Sequence, residues 1–95
     1  MIIQIIKLKS KLPEEELLRR AKEREAQFKS LPGLLQKYYV KLEQPGQFGG
    51  IYIWDSEESL KSYGKSDLAS SIPEAYDIVE APNIEILNVL FKLRE

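Results

Sequence analysis

Few side chains in this sequence can do chemistry, and most of them lie in or beside one stretch, Pro32 to Trp54 (PGLLQKYYVKLEQPGQFGGIYIW). Lys37 stands among apolar residues of a predicted strand. A lysine taken out of water favours its neutral amine, which is a usable general base. Arg24, at the edge of the apolar stripe of the preceding helix, carries the charge to stabilise an oxyanion. Trp54 and Tyr52 can stack on a flat aromatic ligand. Tyr38, Gln36 and Tyr63 are the further candidates to line a binding pocket. Each residue also has a plainer reading. Strand aromatics serve as core or dimer interface more often than as catalysts, and Lys37 can pair with a carboxylate such as Asp77 and only fix the sheet. Gln36 can satisfy backbone groups or meet its symmetry mate, and Arg24 can snorkel to solvent.

The absences narrow the chemistry. The sequence has no Cys and no His, so a disulfide framework, a thiol nucleophile and a Ser-His-Asp arrangement are all ruled out, as is the commonest metal ligand. No Gly-rich phosphate loop opens a helix. Neither a metal nor a cofactor is expected. A net charge of -1 gives no reason to expect nucleic acid or an anionic membrane as partner. No apolar run approaches the ~20 residues that span a bilayer. The start, MIIQIIKLK, lacks the order of charge and apolar run that marks a signal peptide, and a cytoplasmic location is expected. With 43% hydrophobic and 31% charged residues, residues 1–95 read as a single small globular domain.

Those candidates must be held by strands and helices. Ile2 to Lys9 predicts a strand with apolar residues on both faces, and Gln4 interrupts one of them. Pro13 to Ser30 predicts a helix: Pro opens it, Glu14, Glu15 and Glu16 suit its positive end, and Leu17, Leu18, Ala21 and Phe28 form its stripe. Leu34 to Glu43 and Phe48 to Trp54 predict a hairpin around a type II turn at Gln44-Pro45-Gly46-Gln47. Lys37 and Tyr39 share one face of the first strand; Leu34, Gln36 and Tyr38 share the other. Gly49-Gly50 suggests a bulge or a close backbone approach. Asp55 is the expected N-cap of a short helix, Ser56 to Tyr63, which Gly64 stops. A further turn, Leu68 to Ile72, ends at Pro73. Tyr76 to Val79 and Ile84 to Leu93 are expected strands. The order is that of an α+β, ferredoxin-like βαββαβ unit with an antiparallel sheet and an extra C-terminal strand. Its two helices can cover one sheet face only. A second copy, in a C2 homodimer, is the economical cover for the other, with the last strand a candidate to cross over.

Pro32-Gly33-Leu34-Leu35-Gln36-Lys37-Tyr38-Tyr39, Gly49-Gly50-Ile51-Tyr52-Ile53-Trp54, Tyr63 and Tyr76-Asp77-Ile78-Val79-Glu80 together resemble the YdhR-like mono-oxygenases of the dimeric α/β-barrel superfamily. The resemblance runs from about Phe28 to Ile84. It implies a homodimer whose sheets close into a shared barrel, with a pocket between sheet and helices in each subunit. It also implies relatives that are cofactor-independent mono-oxygenases acting on polycyclic phenols and quinols, and others that degrade haem. Trp54-Asp55-Ser56-Glu57 is similar to the Trp-Glu-Ser step of the haem-degrading branch, which carries a role over to Trp54. That branch also uses a His and an Asn near strand 1. Here strand 1 offers Gln4, and Asp67 falls where the YdhR-like pattern often has His, so His-dependent steps are excluded.

The expected function is therefore a cofactor-independent mono-oxygenase acting on a small aromatic or quinol-like substrate. Lys37, Trp54 and Arg24 are its catalytic candidates, and Tyr52, Tyr38, Gln36 and Tyr63 would contact the substrate. The alternatives are a non-catalytic module that binds a small apolar or aromatic ligand, and an interaction protein whose barrel is simply filled.

Overall fold

The computed structural model describes all residues, 1–95. β1 (Ile2–Lys9), β2 (Leu34–Lys41), β3 (Gln47–Trp54) and β4 (Asn83–Asn88) form one antiparallel sheet in the order β2-β3-β1-β4. α1 (Glu14–Glu23) and α2 (Glu25–Lys29) join β1 to β2; α3 (Glu57–Gly64), α4 (Asp67–Ser70) and α5 (Ile72–Ala75) join β3 to β4. This is the α+β, ferredoxin-like frame that the order of elements predicts.

Register decides which side chains meet the helices. Ile2, Gln4, Ile6 and Leu8 oppose Trp54, Tyr52, Gly50 and Phe48, and directly opposed residues share a face. That face packs on Leu17, Ala21, Phe28, Leu60, Tyr63 and Ile72 from the helices to make the core. On the other face Ile3 meets Ile53, Ile5 meets Ile51, and Leu87 follows beside Ile3. The hairpin turn closes as expected, with Gly46 at φ +79° and the Gln47 N–H donating to Gln44 O at 3.2 Å.

Several expectations give way. The helix Pro13–Ser30 breaks at Arg24, whose N–H donates to Ala21 O at 3.2 Å instead of continuing the α-helical ladder. A register shift between Leu34 and Gln36 puts Leu34 on the face of Lys37 and Tyr39, parting it from Gln36 and Tyr38. β2 is an edge strand of the sheet. Ser56, not Asp55, caps α3, because its hydroxyl accepts from the Ser59 N–H while the Asp55 carboxylate accepts from the Ser59 hydroxyl. Gly64 is the last helical residue and does not take the left-handed conformation of a glycine stop. Pro73 lies in the first turn of α5, where a missing N–H costs nothing, and so does not end a helix.

Tyr76–Val79 is not a strand. Asp77 turns to φ +50°, and the Ile78 N–H donates back to Pro73 O, which leaves a single bridge between Ser10 and Ile78. The segment expected as an extra strand is β4 itself. It ends at Asn88, and Leu90, Phe91 and Leu93 beyond it are 94%, 79% and 79% exposed.

Candidate functional site

Lys37 opposes Tyr52 across the β2–β3 ladder, on the helix side of the sheet. Its aliphatic stem passes Gly50, where a Cβ would stand 3.3 Å from Lys37 Cε and 3.0 Å from Tyr52 Cε1. The missing side chain is what lets the lysine turn inward. The ammonium then lies 3.5 Å from the centroid of the Phe28 ring, 4.3 Å from that of Tyr39 and 4.5 Å from that of Tyr52. Ring faces attract a cation, but they offer no hydrogen-bond acceptor. No carboxylate pairs with Lys37, Asp77 included. Burial, helped by the nearby Arg24 charge, lowers its pKa from 10.5 to about 7. At neutral pH a large share of Lys37 is free amine.

The neighbouring phenols move the other way. Burial, then Tyr76 and Glu25, push Tyr39 up to about 12, and burial with the adjacent Tyr63 raises Tyr52 further. Neither is a base near neutrality. Lys37 is.

Arg24 is held as a strut. Its guanidinium donates to Ser71 Oγ at 3.0 Å and to Leu68 O at 3.4 Å, tying the α1–α2 junction to the segment carrying α4 and α5. It also lies against the rings of Phe28 and Tyr76, 5.8 and 5.6 Å from their centroids. Its Nε and the Tyr76 hydroxyl are both buried without a partner.

Trp54 is fully buried. Its Nε1–H donates to Gln4 Oε1 at 3.0 Å, and its ring stacks on Tyr52 at 6.2 Å with an interplanar angle of 4°. Tyr63 closes the group, with its hydroxyl 3.4 Å from that of Tyr52. Trp54 and Tyr63 also back a separate groove beside α3, lined by Ser59 and Ser62.

Two spaces meet at Lys37. A cavity of about 40 Å³ between sheet and helices is walled by Ile6, Leu8, Leu17, Phe48, Tyr52, Ile72 and Tyr76, with Gly49 and Gly50. A groove of about 370 Å³ runs along the β2 edge, lined by Glu25, Phe28, Lys29, Leu34, Leu35 and Gln36. Lys37 and Tyr39 belong to both walls.

The candidates are thus divided. Lys37 and Tyr52 stand at the cavity and Gln36 at the groove. Trp54, Tyr63 and Arg24 support them from behind, and Tyr38 points away on the opposite face, across from Ile51. Phe28, Tyr39, Tyr76 and Gln4 are the residues that the sequence reading passed over. Tyr39 was within reach of it: it is two residues from Lys37 in a strand, and so on the same face. Gln4 was visible as the lone polar residue on an apolar strand face. Phe28 was indistinguishable from any other member of a helical stripe.

Among solved structures, one of a "putative antibiotic biosynthesis monooxygenase" from Caulobacter crescentus is 22% identical with a TM-score of 0.78, over 95% of this chain and 90% of that one. A Nitrosomonas europaea protein of unknown function is 18% identical with a TM-score of 0.78, over 99% and 93%. SnoaB, a cofactor-independent oxygenase from Streptomyces nogalater, is 10% identical with a TM-score of 0.77, over 99% and 97%. These likenesses establish a shared fold. No curated protein matches the sequence. The sequence profile of the family described as "Putative mono-oxygenase ydhR" matches residues 2–92, a wider span than the motifs alone suggested, and the chain belongs to that family.

Proposed function

We propose that this protein is a cofactor-independent mono-oxygenase acting on a small electron-rich aromatic or quinol-like substrate, with Lys37 as its general base. The observation that carries the reading is an amine without a carboxylate partner, brought to a pKa of about 7, on the wall between a small apolar cavity and a larger groove. Family membership supports the reaction class, and the likeness to a cofactor-independent oxygenase supports the route.

The groove takes the organic substrate, since its volume of about 370 Å³ falls within the roughly 300–1,000 Å³ of small-molecule sites. Phe28, Leu34 and Tyr39 supply its apolar contacts. Lys37 removes a proton from an activated C–H or O–H, and the resulting ammonium pairs with the substrate anion in a poorly hydrated setting. The anion reacts with dioxygen. For a doubly activated CH₂ group the balance closes without an external reductant: one oxygen atom ends as C=O, the other as water, and the substrate supplies the electrons. Arg24 positions Phe28 and Tyr76 by holding α2 to the following segment. Trp54 and Gln4 hold Tyr52.

We also propose that the working form is a homodimer joined through the sheet face that the helices leave free. A second reading, a non-catalytic ligand-binding module, is favoured by one observation: the aromatic cluster behind Lys37 is packed shut. Oxygen uptake with a panel of quinols and anthrone-like phenols separates the two. The wild type should consume oxygen and Lys37→Met should lose at least ~10²-fold of the rate, the usual contribution of a general base. Stoichiometric ligand binding without uptake would establish the second reading instead.

A further inference from the structure

The cavity between sheet and helices is too small for the aromatic substrate, so any occupant is a different molecule. At about 40 Å³ it exceeds the ~10–15 Å³ that one water requires, but a buried water also needs two to four polar partners. The free surface of this cavity is almost wholly apolar, from Ile6, Leu8, Leu17, Phe48 and Ile72. The polar atoms of its other walls are turned elsewhere: Tyr52 Oη to Tyr63, and Lys37 Nζ onto ring faces. Tyr76 Oη is enclosed by protein. Water finds at most the unpaired Tyr76 hydroxyl to bond there, fewer than the two partners it needs, whereas a small apolar molecule loses nothing by entering.

We propose that this cavity is a dioxygen site, set behind Lys37 so that the gas and the organic substrate approach the amine from its two sides. Use of the gas rests on the mono-oxygenase reading; its binding does not. The placement suits the chemistry, because Lys37 and Tyr39 wall both spaces. The proton taken from the substrate leaves a positive charge beside the place where electrons arrive on oxygen, which favours that transfer.

Dioxygen is paramagnetic, so it can be located by NMR without turnover. In methyl-labelled protein under oxygen rather than nitrogen, the methyls of Ile6, Leu17 and Ile72 should relax several-fold faster than those of Ile2 and Leu60, which are as well buried but off the cavity. Ile72→Phe, which fills the space, should abolish the difference. Leu8→Phe, from a partly exposed position on the same wall, serves if the first variant does not fold. Equal enhancement at all buried methyls, or enhancement that survives both fillings, would overturn the site. Local enhancement in a protein that consumes no oxygen would leave the site standing and remove the mono-oxygenase reading. Where turnover is measured, the filled variants should show a raised KM for oxygen at unchanged KM for the quinol. A shared rise in both would count against separate sites.

Discussion

At the scale of single residues, Lys37 makes the sharpest claims. Its folded pKa, about 7, lies below the ordinary 10.5. Between those values the unfolded chain holds a proton that the folded chain has released, so stability rises with pH across that window and is flat below it. Lys37→Met, which keeps the stem and removes the amine, should therefore be more stable than wild type at pH 6. The gap should shrink by up to about 1.4 kcal/mol per unit as pH climbs from 7 to 10. Urea titrations at several pH values read this directly, and a gap independent of pH would mean that the amine is solvated. In the same way, the rate of oxygen uptake should rise through pH 7 and then level. Trp54 tests a different idea. Trp54→Phe removes the donor to Gln4 Oε1 and strands a buried acceptor, at a cost of about 1–3 kcal/mol. Adding Gln4→Leu should recover part of that loss, whereas simple additivity would show that the bond matters little. Lys37 was legible as a candidate because a charged residue in an apolar strand is a local anomaly. The ring cage around it was not, since it needs Phe28 from a helix and Tyr52 from the neighbouring strand.

At the scale of elements, period and turn chemistry carried the reading a long way. β1, β3 and the Pro45-Gly46 hairpin follow from alternation and from the one turn type those two residues favour. Where the reading failed, a competing short-range hydrogen bond had won. Asp77 leaves the extended region because its neighbours complete the bonds of α5, and Ser56 displaces Asp55 as cap because Asp55 is engaged by Ser59. The bulge in β2 could not be read either, as Leu34 and Gln36 alternate perfectly in sequence. Glycines at element junctions now have definite reasons. Gly33 adopts φ +81°, and a Cβ there would fall 2.1 Å from Ser59 Oγ, so this turn is packed onto the first turn of α3. Gly33→Ala should lower Tm by several degrees through both strain and collision. Gly50→Ala meets only the side chains of Tyr52 and Lys37 and should cost less stability while shifting the pH dependence of uptake, because it displaces the amine. Equal Tm losses with an unmoved pH profile would argue that Gly50 merely packs.

At the scale of the whole molecule, two surfaces are unfinished in a lone chain. The free sheet face carries Ile3, Ile5, Ile51 and Ile53 side by side, with Tyr38 opposite Ile51. The tail after β4 exposes Leu90, Phe91 and Leu93. Single exposed apolar residues are ordinary, but a contiguous apolar band is not. In a C2 pair the same patch meets itself, and a tail leaving each sheet edge has the partner's surface within reach. The two features make separable predictions. In the proposed dimer, Ile51→Lys places a charge at the middle of the buried band, and sedimentation should show a monomer at concentrations where the wild type is dimeric. Removal of residues 89–95 should weaken the dimer without abolishing it, and should make Tm more strongly dependent on protein concentration. A wild type that sediments as a monomer, with a concentration-independent Tm, would mean that the isoleucine band tolerates water. Because a single chain already supplies walls to the proposed groove and cavity, such a monomer should still bind the aromatic ligand. Loss of that binding in Ile51→Lys would show instead that the second subunit shapes the site.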